Sequence, residues 1–229
     1  MRLLFLFLLV STLSHAQAVR LGQFNKVKVF DGIRLTIIPS DADSLVVEGK
    51  NKSFLSIKNK NGRLFLRMDI KKSFGGFNTT VALFSSSSLE EIDANEGAFV
   101  SCQDVLFQPS ISLKAQEGAE IDALLDVQKV KTKTASGGIV NLKGSAVVQY
   151  HSVVTGGIVE AAMLDSEQVE VRVKAGGRAA VNASELADIK VSLGGSVSVY
   201  GQPKKLIKAV AVGGNIEQKS TPIETPENE

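Results

Sequence analysis

Residues 137–142 read GGIVNL, and residues 156–161 read GGIVEA. A pair that starts with glycine and continues with glycine or alanine recurs through the second half of the chain, and successive pairs begin 18 to 21 residues apart. The seven pairs begin at Gly97, Gly118, Gly137, Gly156, Gly176, Gly194 and Gly213. A period near 20 residues over seven copies is typical of a solenoid, in which each repeat stacks on the next.

The residues around each pair alternate between apolar and polar. The position three residues after the first glycine is always apolar: Val100, Ile121, Val140, Val159, Ala179, Val197 and Ile216. Two residues further on, the position is apolar in six of seven copies: Cys102, Ala123, Leu142, Ala161, Val181 and Val199, with Gln218 in the last. The intervening residues are mostly polar, which is typical of a half-buried strand.

These units do not fit a helical repeat. They are rich in Val and Ile, lack a 3.6-residue period and lack the spacing of leucine-rich repeats. We therefore predict an all-β fold, a right-handed single-stranded parallel β-helix with about 20 residues per coil. The glycines are interpreted as corner residues, because the Gly-x-Gly-x-x-Gly and Lys-Ser/Thr patterns of phosphate-binding loops are absent.

Residues 24–91 have a less regular pattern. Short alternating runs are separated by turns, and the Asn61-Gly62 dipeptide between two such runs predicts a hairpin. We predict an irregular N-terminal β region over residues 24–91 that closes the first end of the repeat coils at 92–219. Together they form a single domain over residues 19–219.

The two ends of the chain have a different composition. Residues 1–18 combine Arg2, an apolar run from Leu3 to Val10 and the small residues Ala16 and Ala18. This pattern predicts a cleaved export signal, and an apolar strand or a membrane anchor is the alternative. Residues 220–229 are rich in Pro and Glu, which predicts a disordered tail.

Composition limits the function classes. The 26 basic and 24 acidic residues give a formal net charge of +2, too balanced to indicate a nucleic-acid partner. One Cys excludes an internal disulfide framework. After signal cleavage no integral membrane segment is expected, because no later apolar run is long enough.

Few residues are candidates for chemistry. His151 shares its repeat slot with mostly apolar residues and with Thr132, so we predict a core histidine hydrogen-bonded to Thr132 rather than a catalytic one. Cys102 occupies an inward slot and is predicted to be an unreactive thiol. Asp41 and Asp43 lack the remaining ligands of a calcium loop and indicate a solvated turn. We predict no catalytic residue, no metal ligand and no cofactor.

Two sets of acidic residues are the candidates for part of a site. Four acids in one short stretch are predicted to form an exposed rim: Glu90, Glu91, Asp93 and Glu96. Asp122 and Glu160 are predicted to point outward, and an enzyme would require such acids to converge in one cleft. Tyr150 and Tyr200 are the tyrosines available for stacking on sugars.

The sequence resembles a family of exported bacterial proteins, the putative autotransporter adhesins with a head GIN domain, formerly a domain of unknown function. The resemblance covers about residues 24–219. It rests on short motifs and the glycine-pair units: Phe30-Asp31-Gly32-Ile33, Leu35-Thr36-Ile37, Leu45-Val46-Val47-Glu48-Gly49, Asn61-Gly62-Arg63-Leu64, the stretch from Gly194 to Gly201 with Pro203, and Gly213-Gly214-Asn215-Ile216. It implies a right-handed β-helix at the cell envelope or surface and carries over no catalytic residue.

Two functional hypotheses follow. The first is an exported non-enzymatic β-solenoid, an adhesin-like or cell-envelope module whose unknown partner is a protein or a glycan. Its location would be the periplasm, the outer surface or the medium of a bacterial cell. The second is a carbohydrate-active enzyme of the β-helix class, a polysaccharide lyase or hydrolase.

Overall fold

The computed structural model describes residues 21–72 and 75–220. The predicted export signal and residues 221–229 of the predicted tail lie outside the described residues. The fold is all-β, with 66% strand and 4% helix, and its main body is a parallel β-solenoid of about seven turns spaced about 19 residues apart. The predicted solenoid architecture is confirmed, and so is the irregular character of the N-terminal region.

The N-terminal region contains six short strands and three single turns of 3-10 helix. The strands are β1 (Lys26–Val29), β2 (Arg34–Pro39), β3 (Ser44–Glu48), β4 (Leu55–Lys60), β5 (Arg63–Met68) and β6 (Thr80–Ser85). The 3-10 turns are Lys52–Phe54, Ile70–Lys72 and Gly76–Asn78.

The remaining strands form the repeat windings, and several of them pass around a bend without losing their pairing. They are β7 (Glu91–Ala94), β8 (Phe99–Gln116), β9 (Glu120–Ala135), β10 (Ile139–Val153), β11 (Ile158–Lys174), β12 (Arg178–Asn182), β13 (Leu186–Ser192), β14 (Ser196–Tyr200), β15 (Lys205–Ala211) and β16 (Asn215–Gln218).

Equivalent residues of successive windings stack in register, as the repeat predicts. Val140 pairs with Ile121 on one side and with Val159 on the other. The same column runs from the outer N-terminal winding to the last: Val81, Leu35, Val100, Ile121, Val140, Val159, Ala179, Val197 and Ile216. All but the terminal Ile216 are buried. These inward columns form the hydrophobic core, which runs the length of the solenoid.

The corners combine backbone geometry with side-chain size. At the corner between β9 and β10, Ser136 and Gly137 both have positive φ, 49° and 75°. The next position is Ala in two windings and Gly in five. Where it is Ala, the inward residue three positions before the corner glycine is also Ala, and where it is Gly that residue is Thr or Val. At Gly177, Gly195 and Gly214 a Cβ would lie within 3.3 Å of that valine, so in these windings the smaller residue leaves room for the larger one.

The first windings do not follow the order of the sequence. Strand β1 pairs in parallel with both β5 and β7, and β2 pairs in parallel with both β6 and β8. The winding made by the earliest strands is therefore enclosed between two later ones. Antiparallel β3 and β4 extend the outer winding at this end. The predicted Asn61-Gly62 hairpin is confirmed, because it joins β4 directly to β5.

The opposite end of the solenoid is open in the described part of the chain. Strands β15 and β16 form the last winding, and their inward columns end in side chains that reach solvent. Val210 continues a column that is otherwise buried, yet it is 52% exposed, and Val212 at the following corner is 76% exposed.

One inward column contains a hydroxyl without a partner. Thr134 is fully buried, and its Oγ1 has no hydrogen bond among the described residues. We expect Thr134→Val to raise the free energy of unfolding by about 1 kcal/mol, because valine keeps the shape and removes the desolvation cost. Urea unfolding measures the effect. Thr132→Val is the control and should destabilise, since the Thr132 hydroxyl is hydrogen-bonded. A less stable Thr134→Val protein would contradict the prediction.

Candidate functional site

The alternating strands present two outward faces. The acidic face lies near the N-terminal halves of the long strands and carries Glu120, Asp122, Asn141 and Glu160. The lysine face lies on the C-terminal halves of the same strands and on β13, and it carries Lys129, Lys131, Lys133, Tyr150 and Lys190. Within residues 21–72 and 75–220, no helix has the length and apolar character needed to cross a membrane.

The carboxylates of the acidic face are spread along columns. Asp122 and Glu160 lie in one outward column with Asn141 between them. Two winding spacings of about 4.8 Å therefore separate the two acidic positions. The Asn141 amide donates to Glu120 Oε1 at 2.8 Å and to Asp122 Oδ1 at 2.7 Å. Burial raises the pKa of Glu160, although Arg178 and Lys219 oppose the shift.

A shallow groove runs where the long strands bend. It is lined by polar residues of successive windings, among them Asp126, Ser145, Asp165 and Asn182. The Ser145 hydroxyl donates to Asp126 at 3.0 Å, and the Asn182 amide donates to Asp165 at 2.8 Å. Both carboxylates are therefore engaged by neutral donors of the neighbouring winding.

The lysine face has a row of three exposed cations. Lys129, Lys131 and Lys133 are alternate residues of β9, and all three are exposed. In the described part of the chain none of them forms an ion pair. Tyr150 lies opposite Lys131 on the next winding and is 38% exposed. The Lys131 Nζ lies 6.0 Å from the centre of the Tyr150 ring.

Acids near these lysines are already paired with other cations. Arg172 binds Glu170 at 2.9 Å and Asp188 at 3.3 Å. Lys114 and Arg63 both bind Glu91. Burial acts to raise the pKa of Glu91, but the two cations outweigh it and lower that pKa below its ordinary value.

His151 is a core histidine, as predicted. Its Nδ1 lies 2.8 Å from the Thr132 hydroxyl, and its Nε2 lies 2.7 Å from Gln149 Oε1. The Gln149 amide nitrogen donates to the carbonyl oxygens of Leu164 and Asn182 at 3.0 and 3.2 Å. The ring must therefore donate from Nε2 and accept at Nδ1. Burial lowers the pKa of His151 to about 3, so the ring is neutral and enclosed.

Cys102 occupies the predicted inward slot and is 3% exposed. Burial, with a smaller contribution from Asp122, raises the pKa of its thiol to about 12. We expect a thiol reagent at pH 8 to label the folded protein at least about 100-fold more slowly than the urea-unfolded protein, because the thiolate is the reactive form. The labelling rate is measured from the absorbance of the group that the reagent releases. Labelling of the folded protein within seconds would contradict the prediction.

The remaining acidic predictions have mixed outcomes. Asp43 accepts hydrogen bonds from the backbone and the hydroxyl of Ser86 at 2.7 and 2.9 Å, so it links its turn to the residue that follows β6. The exposed rim is wrong for two residues. Asp93 is buried and binds Lys28 at 2.9 Å, and the Glu91 side chain is only 12% exposed. Pairing across windings compensates the burial of these charges.

The chemistry of the described residues is sparse. No group of three or more His, Cys, Asp or Glu side chains among them could hold a metal ion. Sequence reasoning missed Gln149 and the lysine row. Gln149 could have been identified as a polar residue in an otherwise apolar inward column. The lysine row could have been identified from lysines at alternate positions of one strand.

Comparison with known proteins gives one family match. The family model described as putative auto-transporter adhesin, head GIN domain, matches residues 23–203. A search of curated proteins finds no match.

Three similar solved structures have the same fold, and each match covers 89% of this chain and 95% of the other. A putative adhesin from Bacteroides fragilis NCTC 9343 has 21% identity and a TM-score of 0.81. From Parabacteroides distasonis ATCC 8503, a putative adhesin has 17% identity and a TM-score of 0.71, and a putative lipid binding protein has 14% and 0.66. At these identities the likeness shows the fold alone.

Proposed function

The chain belongs to the family of putative auto-transporter adhesins with a head GIN domain, and from this premise we propose that it is an exported, non-enzymatic adhesin-like module. Residues 1–18 direct export and are removed, and residues 19–219 act as one domain. The module presents the outward faces of its solenoid to a partner on a cell surface or in the envelope.

The observation that carries this proposal is the distribution of outward side chains. Because the strands are parallel and in register, polar residues form columns on flat faces. Asp122 and Glu160 stand in such a column, but Asn141 occupies the position between them and donates a hydrogen bond to Asp122 at 2.7 Å. An ordered surface of this kind suits contact with an extended partner, whereas glycoside cleavage needs two carboxylates with the scissile bond held between them.

Binding and turnover can be measured on the same purified protein. Labelled protein is incubated with intact bacterial cells, and bound protein is counted over a concentration series. In parallel, a panel of polysaccharides is assayed for new reducing ends and unsaturated sugars. We expect saturable binding to cells without product formation. An exported protein of similar size and net charge is the control. Release of sugar products would overturn the non-enzymatic proposal, and absence of cell binding would overturn the adhesin-like role.

Export is tested separately in living cells. The full chain with a C-terminal epitope tag is expressed, and the cytoplasm, periplasm, membranes and medium are separated. We expect the tagged protein outside the cytoplasm and shortened by about 18 residues, the length of a typical export signal. Full-length protein confined to the cytoplasm would contradict the proposal.

A further inference from the structure

We propose that the lysine face binds a linear acidic polysaccharide through Lys129, Lys131 and Lys133, with Tyr150 packing against a sugar ring. This inference rests on the proposed adhesin-like function and names the chemical class of its partner. It concerns the outward side of the strand segments whose inward side holds the buried histidine network.

The three lysines form a straight row because they alternate along one strand. Side chains two residues apart on a strand point the same way and are about 6.6 Å apart. Val130 and Thr132 between them are buried, which fixes the outward direction of the lysines. The row therefore offers three cationic groups along a line of about 13 Å.

Among residues 21–72 and 75–220 no acid forms an ion pair with this row. Glu170 and Asp188, two and three windings away on the same face, are held by Arg172, and Glu91 is held by Lys114 and Arg63. The overall charge of +2 conceals this local excess, because Glu120, Asp122 and Glu160 lie on the other face. A ligand with regularly spaced negative groups complements the row, and the attraction is screened by salt.

Tyr150 makes a sugar polymer a better fit than a simple array of anions. It is the register partner of Lys131, so its backbone lies about 4.8 Å from the middle of the lysine row, and its ring centre lies 6.0 Å from Lys131 Nζ. Aromatic rings at binding surfaces supply apolar contact area together with a polar hydroxyl. Ser152, the next outward residue of β10, is exposed and adds a second hydroxyl.

The flatness of the face favours an extended chain over a nucleic-acid duplex. Duplex DNA gains its affinity by placing many phosphates against cations of the protein. When a rigid duplex lies on a single straight row of cations, only a few of its phosphates can contact them. A linear polysaccharide with a carboxylate or sulfate on its sugars can follow the row along its whole length.

Binding is measured with immobilised polygalacturonate as the carboxylated probe, dextran sulfate as the sulfated probe and plain dextran as the neutral control. We expect binding to at least one acidic probe and not to dextran, with affinity falling as NaCl rises from 20 to 200 mM. The triple variant Lys129→Gln, Lys131→Gln and Lys133→Gln should bind at least about tenfold more weakly, since each contact removed lowers the salt-dependent attraction.

A matched variant controls for net charge. Lys50, Lys52 and Lys71 are exposed and lie in turns of the N-terminal region, on none of the strands whose outward residues form the lysine face. Their triple substitution by Gln removes the same three charges and should leave the affinity within about twofold of the unmodified protein, because these lysines lie outside the row. Circular dichroism of both variants verifies that the fold is retained.

Tyr150 has its own test. Tyr150→Ala should weaken polysaccharide binding about fivefold without changing its salt dependence, because the lost contact is apolar. Tyr150→Phe should retain most of the affinity. Equal affinities for all three proteins would overturn the role of the ring.

The remaining outcomes separate this inference from the proposed function. If the lysine triple variant binds acidic polysaccharide as well as the unmodified protein, the lysine face is not the site. If duplex DNA or phosphatidylglycerol vesicles bind more tightly than either acidic probe, the ligand class is wrong. In both cases saturable cell binding by the unmodified protein leaves the adhesin-like role standing. Polysaccharide binding without cell binding would instead support the lysine site and overturn the adhesin-like role.

Discussion

Gly138→Ala is expected to destabilise the solenoid severely. A methyl group at Gly138 would overlap the carbonyl carbon and oxygen of Ala115 in the preceding winding and would lie 2.7 Å from the backbone nitrogen of Gln116. Backbone atoms cannot rotate away as a side chain can, so two windings would have to separate. We expect a loss of about 3 kcal/mol in the free energy of unfolding, the upper range of overpacking in a core.

The adjacent glycine provides the control. Gly137 has a φ of +75°, and a Cβ there would meet nothing within 4 Å. Gly137→Ala therefore tests the backbone conformation alone, which costs about 1 kcal/mol for a residue other than glycine. Urea unfolding followed by circular dichroism gives both values. If Gly137→Ala proves the more damaging substitution, close approach of the windings is not what selects glycine at position 138.

The second large effect is a loss of stability in acid caused by His151. Its pKa is about 3 in the folded protein against an ordinary value of 6.5, because burial disfavours the charged ring. The unfolded chain therefore binds more protons than the folded one below pH 6.5. The stabilisation is complete above pH 6.5 and is lost as the pH falls toward 3. Between pH 6.5 and 4 the loss amounts to about 3 kcal/mol.

This loss is measured as the difference between two proteins. His151→Leu places an apolar residue in a slot that holds Leu113 and Ile189 in other windings. Its stability at pH 7 should fall, because Thr132 and Gln149 lose a partner. Its further decline from pH 7 to pH 4 should be smaller than that of the unmodified protein by about 3 kcal/mol. If the unfolding free energies of the two proteins depend on pH in the same way, His151 becomes protonated in the folded protein at the same pH as in the unfolded chain, and the prediction is wrong.

The core of the repeat was predictable because each slot faces the same slot of the next winding. Val140 is apolar for the same reason as Ile121 and Val159, so the column could be identified from spacing alone. The same alignment placed His151 beside Thr132 and predicted their hydrogen bond. Gln149 lies in the adjoining inward column, between Val130 and Val169. The same alignment could therefore have identified Gln149 as the second hydrogen-bond partner of the His151 ring.

The N-terminal windings could not be ordered in this way. The strands of residues 24–91 were identified, yet nothing in their local pattern states that β1 and β2 lie between β5–β6 and β7–β8. Pairing of this kind joins segments far apart in sequence, and many such pairings satisfy the same alternation of apolar residues. The incorrect exposed rim has the same origin. The burial of Asp93 is compensated by Lys28, which is far away in sequence but lies on the neighbouring strand.

The sequence by itself determined the repeat, the inward columns and the positions of the corners, because a period shared by successive windings makes local alternation equivalent to tertiary contact. Only the tertiary structure decided which strand encloses the first winding and which carboxylates are paired. It also decided that three lysines share a face with Tyr150 and form no ion pair with any acid that the structure describes. Those properties depend on distances between side chains on separate windings. The spacing of residues along the chain does not specify which strands lie next to each other in the first windings.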